Sequence, residues 1–293
     1  MGLSASQRNP HAQIQALLHL PPLSPVAREL LIELGKAEIE IPRLVQVIER
    51  DPGLTARVIG VANSAYFNQR APIYDIAAAV VRVLGLDLVK HLALGIALSA
   101  PFDTSGCPRF KPDRYWCLAI QTATLATHLA PCAKLEPGAQ EYLFVGALLH
   151  NIGEMVLIHS FLEGMCEVLA LSDADANASI PELQEKILGL NGTEAAVVLG
   201  HKWHLPPRVV DIVANHDNPG YRGDAWRSVC LVGYCSRLID ANYGDNGAWP
   251  EKFVLAGDNV LQLNEDKVVA ALEHLFGNRE QVMALADLMA RNP

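Results

Sequence analysis

The chain has 293 residues, 51% hydrophobic and 19% charged, enough for one large buried core or two modest ones and too apolar for global disorder. Acidic residues outnumber basic ones, 32 to 23, giving a net charge of −9, a balance that opposes broad nucleic-acid binding, which needs Lys and Arg to neutralise phosphates. No window offers the roughly 18 apolar residues of a membrane span, and the opening stretch has no signal-peptide core.

Helical punctuation dominates along the chain. LSPVARELLIELGK offers Ser24 as a cap, Pro25 at the first helical position and Gly35 as a stop. IPRLVQVIERDPGLTARVIGVANSAYF reads as two helices broken at Asp51-Pro52, with Asp51 capping the second. Leu44, Val47 and Ile48 form one apolar stripe, and Leu54, Val58, Ile59 and Ala62 the next. In YDIAAAVVRVLGLDLVKHLALGIALSA, Asp75 caps, Gly85 stops and Asp87 caps again. SGCPRFKPD is a turn-rich joint that places a boundary near residues 101–112. Beyond it, helices are predicted over 115–130, 140–160, 181–188, 193–203, 207–216 and 226–243. Ser179 with Glu182, and NREQ from Asn278 to Gln281, have the spacing of capping boxes. Alternating apolar and polar runs are rare, so the predicted fold class is all-α. Its parts are an N-terminal helical part over 1–104, a second helical part over 105–245, and two amphipathic helices over 246–293 that pack on the body and are a candidate homodimer contact.

The six cysteines are Cys107, Cys117, Cys132, Cys166, Cys230 and Cys235, with no C-x-x-C pair, so reduced thiols and a cytoplasmic location are expected. Met1-Gly2 with Ser6 is only a short match to a myristoylation pattern. Dinucleotide, P-loop, kinase and nucleophile-elbow motifs are absent. Among the ten histidines, His150 in ALLHN sits on a helix that is apolar nearly all round and reads as a core histidine with one hydrogen-bond partner. His201 and His204 have the spacing to begin a zinc site but would need further ligands; they read as a surface residue and a helix end. His216-Asp217 ends a helix, where a cationic imidazole suits the helix dipole.

Several segments together carry a family resemblance. VIERDPGLTARVIGVANSAYFNQRAPIYDIAAAVVRVLG contains an acidic-Pro step, Asp51-Pro52, an apolar helix, and Asn63-Ser64 before an aromatic. EYLFVGALLHNIGEMVL and EAAVVLGHKWHLPPRVVDIVANHDNP follow, the latter with Trp203, Leu205 and Pro206. Over residues 17–243 the chain resembles the HDOD family, bacterial signalling output domains related to HD phosphohydrolases. The resemblance implies an N-terminal helical bundle packed on an HD-like helical domain.

It also lets the metal site of the catalytic HD relatives be compared position by position. The matching places fall on Leu118, His150-Asn151, Gly192, His216 and Tyr234. Leu118 and Gly192 bring no side-chain lone pair, Asn151 brings a neutral amide, and Tyr234 would have to lose a proton of ordinary pKa near 10. Two imidazoles fall short of the usual three protein ligands. Glu154 stands where related enzymes often carry Lys. The resemblance therefore implies a remnant pocket, with no metal, no cofactor and no catalysis, in a module that works through signalling protein partners. A residual metal-dependent phosphohydrolase on nucleotides or cyclic dinucleotides, and a nucleotide sensor without turnover, are the alternatives. The groove between the two helical halves and the loop ANSAYFNQRAPIYD are candidate contact surfaces. In the loop Asn63, Ser64, Tyr66, Phe67, Arg70 and Tyr74 mix aromatics with polar groups as interfaces do. A structural reading instead anchors Tyr66 and Phe67 on the core.

Overall fold

The computed structural model describes residues 17, 20–34, 39–64, 67, 71–175, 178–243, 253–255, 257 and 259–290. Its helices are α1 (Pro25–Leu34), α2 (Ile41–Ile48), α3 (Pro52–Ala62), α4 (Ile76–Ala78), α5 (Leu86–Ser99), α6 (Pro112–Leu129), α7 (Leu143–Leu148) and α8 (Ile152–Ser160). They continue as α9 (Leu162–Ala174), α10 (Ile180–Leu188), α11 (Gly192–Lys202), α12 (Pro207–Asn215), α13 (Trp226–Asn242), α14 (Glu265–Gly277) and α15 (Arg279–Ala290). A π-helix, Ala79–Leu84, extends α4, and no strand occurs among the described residues. The all-α class expected from the sequence is the one observed.

Local chemistry sets most helix starts. Ser24 Oγ accepts from the Ala27 amide at 3.1 Å, Asp51 Oδ1 from Leu54 at 3.0 Å and Asp75 Oδ1 from Ala78 at 2.7 Å, each satisfying an orphan first-turn N–H. One expected cap is corrected. Gly85, with φ +80°, ends the π-turn and is itself the N-cap of α5, so Asp87 lies inside the helix. Asn278 is the C-cap of α14, its Nδ2 donating to His274 O at 2.9 Å, and its carbonyl accepts from the Val282 amide at 3.2 Å at the start of α15, while the Gln281 side chain of the expected box lies outside the described residues. Ser179 caps α10 through the Glu182 amide at 3.4 Å. The reciprocal capping box belongs instead to Asn191 and Glu194, which opens α11. Gly35 lies outside the described residues.

The helix predicted over 140–160 is broken. α7 ends at Leu148, Leu149 to Asn151 form a turn, and α8 begins at Ile152. Helix α9 was not anticipated at all.

One hydrophobic core runs from Leu17 to Met289, so the joint at 101–112 is a covalent link and not a gap in packing. Helix α6 lies at its centre against α7, α13, α14 and α15, and its Trp116 is fully buried. In the first half α1 and α3 pack on α5. Helix α15 then spans the halves, touching α6, α5 and α3. Arg57 Nη2 on α3 donates to Met289 O at 3.2 Å. Trp203 Nε1 reaches back to Pro21 O at 3.1 Å. That bond gives the Trp of the W-x-L-P segment a structural task.

The tightest approach is between α8 and α11. A Cβ on Gly153 would stand 1.7 Å from the Gly192 carbonyl oxygen, which no side-chain adjustment can relieve. Gly153→Ala is therefore expected to cost about 3 kcal/mol or more. Gly60→Ala, on the open face of α3 where an added Cβ meets nothing within 4 Å, should gain about 0.5–1 kcal/mol. Urea unfolding of the two variants checks both signs.

Candidate functional site

The turn between α7 and α8 delivers His150 and Asn151 to a cavity of about 260 Å³. Glu154 follows from the first turn of α8, Gln184 comes from α10, and Gly192 and Thr193 come from the start of α11. Helix α13 contributes Ser236 and Asp240, and Asp217 comes from just after α12. Two glycines permit this convergence. Gly153 admits α11, as above, and a Cβ on Gly233 would stand 1.8 Å from His216 O, so α13 can press on the end of α12.

Both nitrogens of His150 are occupied by protein. The ring is buried, with Nδ1 2.7 Å from the Ala147 carbonyl and Nε2 3.2 Å from Ser236 Oγ. A carbonyl only accepts, so Nδ1 carries the proton and Nε2 takes the serine hydroxyl. Burial pushes the His150 pKa down to about 3, and the neighbouring His216 adds to this. The His216 ring sits 5.1 Å away, edge-on at 88°. Its own pKa is lowered by burial against the opposing pull of Asp217, whose Oδ1 is 3.4 Å from Nε2. His216 caps α12 as expected, but the charge expected there is corrected, since burial favours the neutral ring.

The carboxylates move the other way. Burial raises Glu154 to about 7, with Asp240 contributing. Asp240, whose side chain still meets solvent, is raised to about 6 by desolvation and by Asp217, against the pull of Arg114 and Arg237. The lining thus combines neutral imidazole, amide and hydroxyl groups with carboxyls that resist ionising together.

Of the seven residues matched to the old site, His150, Asn151, Glu154 and Gly192 line this cavity. His216 stands beside the His150 ring outside the lining. Leu118 packs on the hydrophobic core. Tyr234 is buried elsewhere, and the α13 residues in the cavity are Ser236 and Asp240. A divalent metal does not fit this set. The His150 lone pair is engaged, Asn151 brings no charge, and among the described residues no three His, Cys, Asp or Glu side chains are grouped to hold an ion. His201 and His204 are exposed on the surface, the latter in a turn with φ +54°.

The candidate loop divides by role. Asn63 closes it, donating from Nδ2 to Ile73 O and accepting at Oδ1 from Ile73 N, both at 2.7 Å. Ser64 is half-buried and Phe67 packs on the core, while Tyr74 is 80% exposed. Tyr66 and Arg70 lie outside the described residues.

These shifts act on stability with opposite signs. The folded-state pKa of His150 is depressed from 6.5 to about 3, so its contribution is complete above pH 6.5 and is lost as pH falls. Glu154 is raised from 4.5 to about 7, so its contribution is complete below pH 4.5 and is lost as pH rises through 7. Relative to wild type, His150→Gln should be most destabilised above pH 6.5, the deficit shrinking on acidification by at most about 1.4 kcal/mol per pH unit. Glu154→Gln should gain on wild type as pH rises from 4.5 to 7. Urea titrations at half-unit pH intervals read both slopes.

A sequence model of the HDOD domain matches residues 20–219. No curated protein matches the chain. Among solved structures, a candidate signal transduction protein from Marinobacter aquaeolei VT8 is 26% identical with a TM-score of 0.78, and the match covers 96% of this chain and 65% of that one. The chain thus spans about two-thirds of that relative's length. A candidate phosphohydrolase from Shewanella amazonensis SB2B (21% identity, TM-score 0.71, 95% and 98% covered) shares the fold. So does an HDOD domain protein of unknown function from Geobacter sulfurreducens (19% identity, TM-score 0.70, 96% and 99% covered). With the family pattern spanning most of its length, the chain belongs to the HDOD domain family.

Proposed function

We propose that this protein is a non-catalytic signal-transduction output module that works through protein–protein contacts, with the HD-type cavity retained as packing. The carrying observation is that His150, the one matched imidazole among the lining residues, already gives its lone pair to Ser236. A residual phosphohydrolase would need a bound cation to activate water, and the donor set does not supply one. A nucleotide sensor would need to receive phosphates. The cavity's roughly 260 Å³ is below the usual range for drug-sized ligands, and Glu154, Asp217 and Asp240 oppose an anion. The 26% identical Marinobacter relative, named for signal transduction, favours the same reading.

The contact surface we favour is the segment around Tyr74. This aromatic is 80% exposed and Val81 70% exposed, whereas Asn63 is committed to closing the loop and Phe67 to the core. A large solvated aromatic is the side chain most often found at the energetic centre of an interface.

Two measurements test this. Protein purified without chelator should contain no stoichiometric iron, manganese, zinc or magnesium, and should hydrolyse nucleotides and cyclic dinucleotides no faster than His150→Ala. A full metal equivalent with turnover lost in that variant would reject the non-catalytic reading. Tyr74→Ala should keep wild-type stability within about 0.5 kcal/mol and weaken partner binding roughly tenfold; unaltered affinity would move the contact away from this segment.

A further inference from the structure

The joint between the two halves holds a pair of sulfurs that the remnant site does not use. Cys107 Sγ lies 2.9 Å from Cys166 Sγ, although the residues are 59 positions apart. Cys107 is buried in the joint, and Cys166 is half-buried on α9. The surrounding contacts fix the two segments together. A Cβ on Gly106 would stand 2.6 Å from Leu162 Cδ2, one turn before Cys166. Arg109 Nη1 pairs with Asp173 Oδ2 at 2.6 Å, at the far end of α9. The Asp103 amide donates to His159 Nδ1 at 3.3 Å. A disulfide needs about 2.05 Å between sulfurs, so closure requires each sulfur to move by roughly half an ångström.

We propose that Cys107 and Cys166 form a reversible disulfide, made by thiol–disulfide exchange with a low-molecular-weight disulfide, and that it latches the interhalf joint to α9. The more accessible thiol, Cys166, reacts first. Its hydrogen bond to Cys107 and its desolvation hold the proton on and raise its pKa, against the weaker pull of Arg109 toward the thiolate. Its thiolate attacks the external disulfide, forming a mixed disulfide and expelling one small thiolate. Cys107, as thiolate, then attacks Cys166 Sγ and expels the second. The two protein protons end on the two released thiols; the external disulfide is reduced by two electrons and the protein pair oxidised by two. The new bond ties down one wall of a cavity of about 330 Å³ lined by Phe102, Thr104, Cys107, Phe110, Trp116 and Met155. It also closes a long loop of chain, which restricts the unfolded state.

The test uses the folded full-length chain incubated with oxidised glutathione, then alkylated, digested and analysed by mass spectrometry. The expected main product is a Cys107–Cys166 cross-linked peptide, reversed by dithiothreitol, with a melting temperature several degrees above that of the reduced protein. Cys166→Ser should abolish both effects, and Cys107→Ser should trap glutathione on Cys166. Recovery of both wild-type cysteines as free or only glutathionylated thiols would overturn the proposal. So would a cross-link that leaves the melting temperature unchanged. The wild-type measurement decides the matter even where a variant folds poorly.

Discussion

The arrangement of this molecule turns on the approach of helix ends to the His150-Asn151 turn. Gly153 lets the Gly192 carbonyl sit where a Cβ would otherwise be, and Gly233 does the same for the His216 carbonyl. These contacts pull α8, α11, α12 and α13 onto one point. A turn held this tightly has little room for water, so its imidazoles are desolvated and neutral. The hydrogen bonds of His150 to Ala147 and Ser236 then follow from the rule that a buried polar group must find partners. The same packing that shapes the cavity also engages the lone pair of His150.

Charge in the cavity obeys that constraint. Glu154, Asp217 and Asp240 lie around one small volume, and both Glu154 and Asp240 are raised, first by burial and then by the neighbouring carboxylates. In a metal-binding relative a cation would relieve such repulsion. Here relief comes from partial protonation, from Arg114 and Arg237 near Asp240, and from solvent at its edge.

How far the sequence disclosed this depended on range. Caps at Ser24, Asp51 and Asp75 were readable because each involves a side chain and an amide three residues on. Asp87 misled because it has the right chemistry, yet the positive φ of Gly85 starts the helix earlier. The break at Leu149–Asn151 was hidden inside an apolar run that fits one continuous helix; only tertiary packing on α11 and α13 bends it. Tyr234 matches the family position in sequence, but at 100° per residue it faces nearly away from Ser236, which shares the cavity with Asp240 one turn on. Helix α9 escaped because LEGMCEVLALSDA lacks a side-chain cap: its N-cap is Phe161, with no side-chain bond. The thiol pair could not be seen at all, since nothing local links residues 59 apart.

Long-range ties brace the two helical halves against each other. Trp203 on the second half holds Pro21 on the first. Helix α15 wedges against α3, α5 and α6, with Arg57 fixed to its last turn. The joint is held to α8 and α9 through His159 and Asp173. A hinge needs a seam with few buried contacts; here α15 bridges the halves, while a cavity of about 470 Å³ lies between them, lined by Leu86, His91 and Leu92 on one side and Ile120, Phe144 and Leu148 on the other. Under the proposed function, this bracing would hold a fixed surface toward a protein partner. That physical logic joins the occupied imidazole in the interior to the exposed aromatic at Tyr74.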